Sequence, residues 1–290
     1  MPINITQPLS IFGATGFIGK RFTTLYPNNI AVAKESNSSP TNNILYLIST
    51  VDNYNIHSNL TIDIETNLTK FMNVLTQVKL QHEQGNNPVI NFVSSWFVYG
   101  QNDVIPFNED TSICNPTGFY SITKYCAEKL LVSFCQTFNI NYRIFRLSNV
   151  LGEGDLKISK QKNALQHLIK EIVNNRDVHL YYGGNVIRDY MYVDDVCRAI
   201  KHCIDVAPYN EIINIGSGKP NLFKDIIDTA IRVSNSTSNI INIEPTNFHN
   251  IVQVKNSYLD VTKLTNLGFT LQYNINDIVE KLTNHYKSLI

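Results

Sequence analysis

Charge is scarce in this 290-residue sequence, and neither sign dominates: 17% of residues are charged, with 24 basic side chains against 24 acidic ones. Nucleic-acid and membrane-surface binders need a basic field, so neither partner is expected. Long apolar runs are absent too; none approaches the ~20 residues that cross a bilayer. Met1-Pro2-Ile3-Asn4 lacks the basic start and apolar run of a secretory leader, which predicts a cytoplasmic protein. The five cysteines are an odd number without C-x-x-C or Cys/His ligand spacing. Buried reduced thiols are therefore expected, and a metal site is not. What is present is a hydrophobic fraction of 43%, ample for a core and incompatible with disorder throughout. The length suits one large α/β domain or two moderate ones.

Short apolar runs alternate with helical patterns, as in a parallel sheet with crossover helices. Strands are predicted at Leu9–Phe12, Ile30–Ala33, Ile44–Ile48, Val89–Val93, Asn141–Leu147 and Ile212–Ile215. Helical periodicity covers residues 64–84, 120–138, 162–175 and Asp194–Val206. The last seventy or so residues read as short elements among Asn-rich turns. This pattern predicts a doubly wound, Rossmann-type α/β sheet over residues 1–150, also receiving about 186–216. Residues 151–185 and 217–290 would form a smaller C-terminal substrate-binding region.

Three segments carry chemistry. Glycines at 13, 16 and 19 follow the first strand and open a helix, which lets the backbone approach a pyrophosphate at the helix N-terminus. The spacing differs from the common G-x-G-x-x-G, and a plain tight turn is the bland reading. Tyr120 and Lys124 stand four apart on one helical face. A neighbouring ammonium stabilises a phenolate and suits the phenol to proton transfer, although surface pairs of this spacing are common. Ser94 and Ser95 end a central strand, where ligands of open α/β sheets bind; a turn held by local Ser–backbone bonds is the alternative.

With Arg188-Asp189-Tyr190-Met191-Tyr192-Val193-Asp194-Asp195 and Asp260-x-x-Lys263…Leu267-Gly268-Phe269, these motifs resemble the extended short-chain dehydrogenase/reductases that act on nucleotide sugars. The NAD-dependent epimerase/dehydratase group is the most similar, from about residue 9 to the end. The resemblance implies a catalytic Ser95, Tyr120 and Lys124. Gly13, Thr15, Gly16, Phe17 and Ile18 would wrap the pyrophosphate, with Ser49, Ser94 and Lys124 along the nicotinamide side. It implies a nucleotide-sugar substrate held by Ser95, Trp96, Asn149 and Arg188, the last with a structural pair to Asp189 as its alternative. Asp194 and Asp195 would be helix caps. A homodimer would form through the helices at about 64–84 and 120–138, unless Leu130, Leu131 and Phe134 face the chain's own core.

Three departures narrow the reading. Trp96 and Phe97 occupy the places of the dehydratases' Asp-Glu pair, which argues against dehydration. The usual diphosphate-binding arginine is missing from Phe248–Lys255, leaving Lys255 or His249 as substitutes. The second strand is followed almost at once by the family's fourth, with only residues 36–43 between. Glu35 would suit NAD(H), whereas Lys34 and Ser36 would suit the 2′-phosphate of NADP(H); the balance leans to NADP(H). The resulting expectation is reduction of the C4 keto group of a nucleoside-diphosphate 4-keto-6-deoxyhexose. A 4-epimerase with retained NAD is the alternative, and a catalytically silent sensor or scaffold is a third class.

Overall fold

In the computed structural model, which describes residues 8–156, 158–159 and 162–290, the short apolar runs become strands and the amphipathic stretches become helices. The reading of Met1–Asn4 lies outside the described residues. The first half runs β1 (Ser10–Phe12), α1 (Phe17–Leu25), β2 (Ile30–Ala31), β3 (Asn43–Tyr46), α2 (Ile62–Ile64), α3 (Lys70–Glu83), β4 (Val89–Ser95), α4 (Phe119–Phe138) and β5 (Asn141–Leu147). There follow β6 (Asn149–Leu151), α5 (Ala164–Val173), β7 (Val178–Tyr181), β8 (Ile187–Arg188), β9 (Tyr190–Tyr192), α6 (Val193–Val206) and β10 (Glu211–Ile215). The chain closes with β11 (Asn221–Leu222), α7 (Phe223–Ser234), β12 (Ile240–Ile243), α8 (Asn247–Val252), α9 (Thr262–Asn266) and α10 (Ile275–Lys287).

Six strands pair in parallel in the order β10-β5-β4-β3-β1-β2. Because strand side chains alternate, Ile11, Leu45, Val93, Phe145 and Ile213 join Phe22 of α1 and Val196 of α6 in one apolar layer. Phe12, Ile44, Tyr46, Phe92 and Ile144 meet Phe71 and Val74 of α3 and Leu131 of α4 in the other. Helices thus cover both faces, giving the expected doubly wound sheet. The strand order reverses between β1 and β3, so a crevice opens at their carboxyl ends.

The sheet stops at β2, whose two residues are both exposed. From there the chain returns directly to β3 along residues 36–43. Side chains of α3 hold this shortcut: Lys70 Nζ donates to Ser36 O (3.0 Å) and Asn37 Oδ1 (2.7 Å), and Gln81 donates to Ser39 O.

The C-terminal stretch differs from expectation, since α7 and α10 are regular helices of 12 and 13 residues. Ile226, Ile227 and Ala230 of α7 and Ile278, Val279 and Leu282 of α10 pack with Leu165 and Ile169 of α5 in a separate apolar cluster. That stripe outweighs the low helix propensity of the Asn and Asp on the outer faces. Asn274, which reads as a turn residue, caps α10 by accepting from the N–H groups of Asn276 and Asp277.

Two further expectations are corrected. Asp194 and Asp195 sit inside the first turn of α6 and cap nothing there, the cap position being Tyr192. Asp194 instead pairs with Arg21 of α1. The buried Asp195 pairs with Arg198 and accepts the N–H groups of Gln272 and Tyr273, tying α6 to the C-terminal segment. The thiols are free, but only Cys135, Cys197 and Cys203 are buried; Cys114 is half-buried, and Cys126 on the outer face of α4 is exposed.

Candidate functional site

The crevice begins at the glycine loop. Gly13 holds φ +87°, a left-handed backbone that disfavours any side chain, and a Cβ on Gly19 would lie 2.2 Å from Gly13 O. The loop therefore folds tightly back onto α1. No side chain caps α1, no acidic residue occupies its first turn, and Thr15 and Gly16 are exposed. Its N-terminal N–H groups and positive dipole end are thus open to an anion. Two buried hydroxyls, Ser94 Oγ and Ser148 Oγ, lack hydrogen-bond partners at the carboxyl ends of β4 and β5. Orphaned donors beside an anion cradle fit a dinucleotide laid across the strand ends.

Ser95, Tyr120 and Lys124 converge at the end of β4. The Tyr120 phenol is buried, and burial pushes its pKa up to about 12. Hydrogen bonding to Ser95 and Ser49 pulls the value down, while the nearby Asp63 carboxylate pushes it up. Ser95 Oγ also accepts the Phe97 N–H at 3.3 Å, and the Phe97 ring stands edge-on to Tyr120 with centroids 6.1 Å apart. Lys124 reaches beneath the strand: Nζ donates to Val93 O at 2.7 Å and lies 4.2 Å from the Phe92 ring centre.

Burial lowers the Lys124 ammonium to about 7, against an upward pull from Glu128. The folded chain gives up this proton before the unfolded chain does. The group therefore weighs most against folding below pH ~7, and the penalty fades as pH rises toward the ordinary lysine value of ~10.4. Lys124→Met is expected to raise the melting temperature of the cofactor-free protein at pH 7 and to raise it less at pH 10. An unchanged or lower melting temperature at pH 7 would contradict the cost assigned to this charge.

A polar network escapes motif reading. Asn67 Oδ1 accepts Ser49 Oγ (3.1 Å) and Thr50 N (2.9 Å), while Asn67 Nδ2 donates to Thr50 Oγ1 (2.8 Å) and Thr123 Oγ1 (2.9 Å). Thr50 Oγ1 in turn donates to Asp63, as does Asn55 Nδ2 at 3.1 Å. Asn67 belongs to a π-helical turn, Glu65–Thr69, between α2 and α3. Asp63 and Asn67 continue the buried stripe of Phe71, Val74 and Val78 at helical spacing, and two polar residues on an apolar face are the signal that could have disclosed them.

On the other side of the crevice, Trp96 stacks on Phe97 at 4.0 Å, and the Arg188 guanidinium lies 6.0 Å from the indole. Arg188 makes no ion pair with Asp189; its Nη1 donates to the carbonyls of Ile187 (2.8 Å) and Lys255 (2.6 Å). Asp189 instead receives the Ser217 hydroxyl (2.6 Å) and the N–H groups of Ser217, Gly218 and Leu259. His249 does not supply the absent arginine's charge. Its Nδ1 is bonded to Tyr54 Oη at 2.8 Å, and burial, then Arg188, holds its pKa near 4, well below neutrality. Lys255 is exposed above the Tyr182 ring. Asn149 Nδ2 donates to Asp189 O at 2.8 Å, so that residue helps to seat β6 beside β9. Lys34 is exposed just beyond β2 and is not brought to the Ser95–Tyr120 pair. A surface depression lined by Gly218, Leu259, Thr262 and Asn266 contains none of the candidate residues. Among the described residues, no His/Cys/Asp/Glu group is arranged to hold a metal ion.

Comparison with known proteins is consistent with this geometry. Residues 42–216 match the family model described as NAD dependent epimerase/dehydratase family. A putative UDP-glucose 4-epimerase of Methanocaldococcus jannaschii is 24% identical over 84% of the chain and 77% of that protein. A dTDP-4-dehydro-6-deoxyglucose reductase of Escherichia coli is 28% identical over 51% of the chain and 46% of its own length. The solved UDP-glucose 4-epimerase of Thermotoga maritima, bound to UDP-glucose, superposes with TM-score 0.85 at 20% identity, covering 98% of this chain and 99% of that one.

Proposed function

The chain belongs to the NAD dependent epimerase/dehydratase family, and from that premise we propose that it reduces the C4 keto group of a nucleoside-diphosphate 4-keto-6-deoxyhexose. A bound nicotinamide supplies the hydride to the carbonyl carbon. Ser95 orients the carbonyl oxygen by hydrogen bonding, and Tyr120 delivers a proton to that oxygen as the alkoxide forms. Lys124 would hold the ribose of a bound nicotinamide cofactor, and its ammonium would steady the phenolate until solvent reprotonates it. Arg188, with Lys255 behind it, meets the substrate diphosphate, for which a guanidinium fork is suited. The sugar lies between Ser95 and the Trp96–Phe97 wall, with Asn149 at its edge and the region of residues 151–185 and 217–290 over the nucleotide.

The observation that favours reduction over epimerisation is the shortened adenine side. An epimerase keeps its dinucleotide from one turnover to the next, whereas a reductase exchanges it. A sheet ending in two exposed residues, with no strand beyond them among the described residues, gives the adenosine half little to be locked into. The 4-epimerase reading is the second one, favoured by the likeness to UDP-glucose 4-epimerases. Lys34, exposed just beyond β2, would favour NADPH by offering its ammonium to a 2′-phosphate. The protein works as a cytoplasmic homodimer through α3 and α4, where Leu80, Ile122 and Leu130 are exposed while Leu131 faces the core.

The test is incubation with a 4-keto-6-deoxy sugar nucleotide and NADPH. Loss of reduced-nicotinamide absorbance in proportion to sugar consumed is expected. No loss with either NADPH or NADH would remove the reductase reading.

A further inference from the structure

One face of α3 lies along the chain's direct return from β2 to β3. Lys70, Gln77 and Gln81 share that side of the helix by their spacing, and each reaches the connection in turn. Lys70 Nζ meets Ser36 O and Asn37 Oδ1, Gln77 Oε1 accepts the Ser38 hydroxyl at 3.4 Å, and Gln81 donates to Ser39 O. The two glutamines hold their part of the connection with neutral amides, so the charge on Lys70 calls for a separate reason. Its half-buried ammonium donates to two neutral oxygens, at 3.0 and 2.7 Å, and has no carboxylate partner among the described residues. Acidic side chains of the same helical stretch are engaged elsewhere: Asp63 accepts from Thr50 and Asn55, Glu65 from Thr61, and Glu83 pairs with Lys79. An ammonium carries three N–H groups, which leaves one for a ligand.

The position is the one at which a dinucleotide's adenosine ribose is read. In doubly wound sheets the group that meets the 2′ position stands about 20 residues after the glycine loop, beyond the second strand. Counted from Gly13, this is the turn at residues 33–36, closed by the Ser36 N–H on Ala33 O at 3.0 Å. Lys34 and Glu35 are its exposed corners. Neighbouring charges of opposite sign offset each other, so the turn by itself discriminates little between a 2′-hydroxyl and a 2′-phosphate. Lys70 is bonded to Ser36, the last residue of that turn, and adds the charge that breaks the balance.

We propose that Lys70 is the specificity-determining residue for the cofactor, its ammonium binding the 2′-phosphate of NADP(H). The inference rests on the NADP(H) reading and goes past it by assigning the discrimination to α3, outside the β2 turn. Because the chain passes from β2 to β3 without a further helix and strand, α3 comes directly against the turn. A lysine suits the task as a point charge with rotatable donors, able to keep Ser36 O while it meets a phosphate oxygen.

The test is binding of NADPH and of NADH to the full chain without sugar, followed by titration calorimetry, so that the outcome is independent of the reaction catalysed. Wild type is expected to bind NADPH more tightly than NADH. Lys70→Gln, which keeps a donor and loses the charge, should weaken NADPH on the order of tenfold and leave NADH nearly unchanged. Lys70→Arg should retain most of the NADPH affinity. Equal weakening of both cofactors would reduce Lys70 to a prop for the connection, and an unchanged NADPH affinity in Lys70→Gln would likewise overturn the proposal. Should the variants fail to fold, acetylation of wild-type lysines by acetic anhydride, read by mass spectrometry, decides. NADPH should protect Lys70 where NADH does not, and equal labelling with both would overturn the proposal. The two readings fail separately. A wild type without preference for NADPH would remove the NADP(H) reading and the part of Lys70 with it, whereas a preference that survives Lys70→Gln would remove only the part given to Lys70.

Discussion

Replacing Tyr120 by phenylalanine is expected to lower kcat by ~10²–10⁴-fold while leaving the melting temperature almost unchanged. That range is what a positioned general acid contributes. The ring would keep its edge contact with Phe97, and only the hydroxyl facing Ser95 and Ser49 would be lost. Because that hydroxyl supplies the proton at the transition state, the loss should fall on kcat and kcat/KM alike, with little change in KM. Steady-state kinetics beside a thermal melt read both quantities. Turnover close to wild type would show that the proton comes from elsewhere.

Glu128→Gln should have the largest effect on stability. Arg146 on β5 and Glu128 on α4 are 3% and 2% exposed and meet at 2.7 Å beneath the site. The Arg146 guanidinium also lies 4.7 Å from the Tyr99 ring centre, and its Nη1 has no hydrogen-bond partner. Removing the carboxylate leaves a buried cation without compensation, a change that costs ~3–5 kcal/mol. For a domain of this size the melting temperature should fall by on the order of 10 °C. Lys124 stands one helical turn before Glu128, so activity should drop as well. A melting temperature equal to wild type would mean that the pair contributes nothing net. Exchanging both partners for apolar residues of similar volume should restore much of the loss.

Much of the fold was legible because strand alternation and helical periodicity are local. Every strand predicted for the main sheet is present, as are the helices bearing Tyr120 and Asp194. Glycine spacing disclosed the tight loop ahead of α1 because a left-handed Gly13 and a close-packed Gly19 leave few other residues possible. The C-terminal helices were hidden for an opposite reason. Their Asn, Asp and Thr are poor helix formers, and only packing against α5 makes their apolar stripes decisive. Arg188 and Asp189 are neighbours in sequence but point to different partners, because β8 and β11 set one against Lys255 and the other against Ser217. Asn67 lay inside residues 64–84, read simply as helix, with Asp63 just ahead of them; the partners Ser49, Thr50 and Thr123 come from other elements, so no spacing rule joins them.

Isotope transfer tests the central claim most directly. NADPH carrying deuterium at the transferable position of nicotinamide C4 would be incubated with a nucleoside-diphosphate 4-keto-6-deoxyhexose, and the product examined by NMR. The account predicts one deuterium at sugar C4 and one oxidised cofactor for each sugar reduced. An unlabelled product without net cofactor oxidation, together with inversion at C4 of a nucleoside-diphosphate hexose, would contradict it and identify an epimerase.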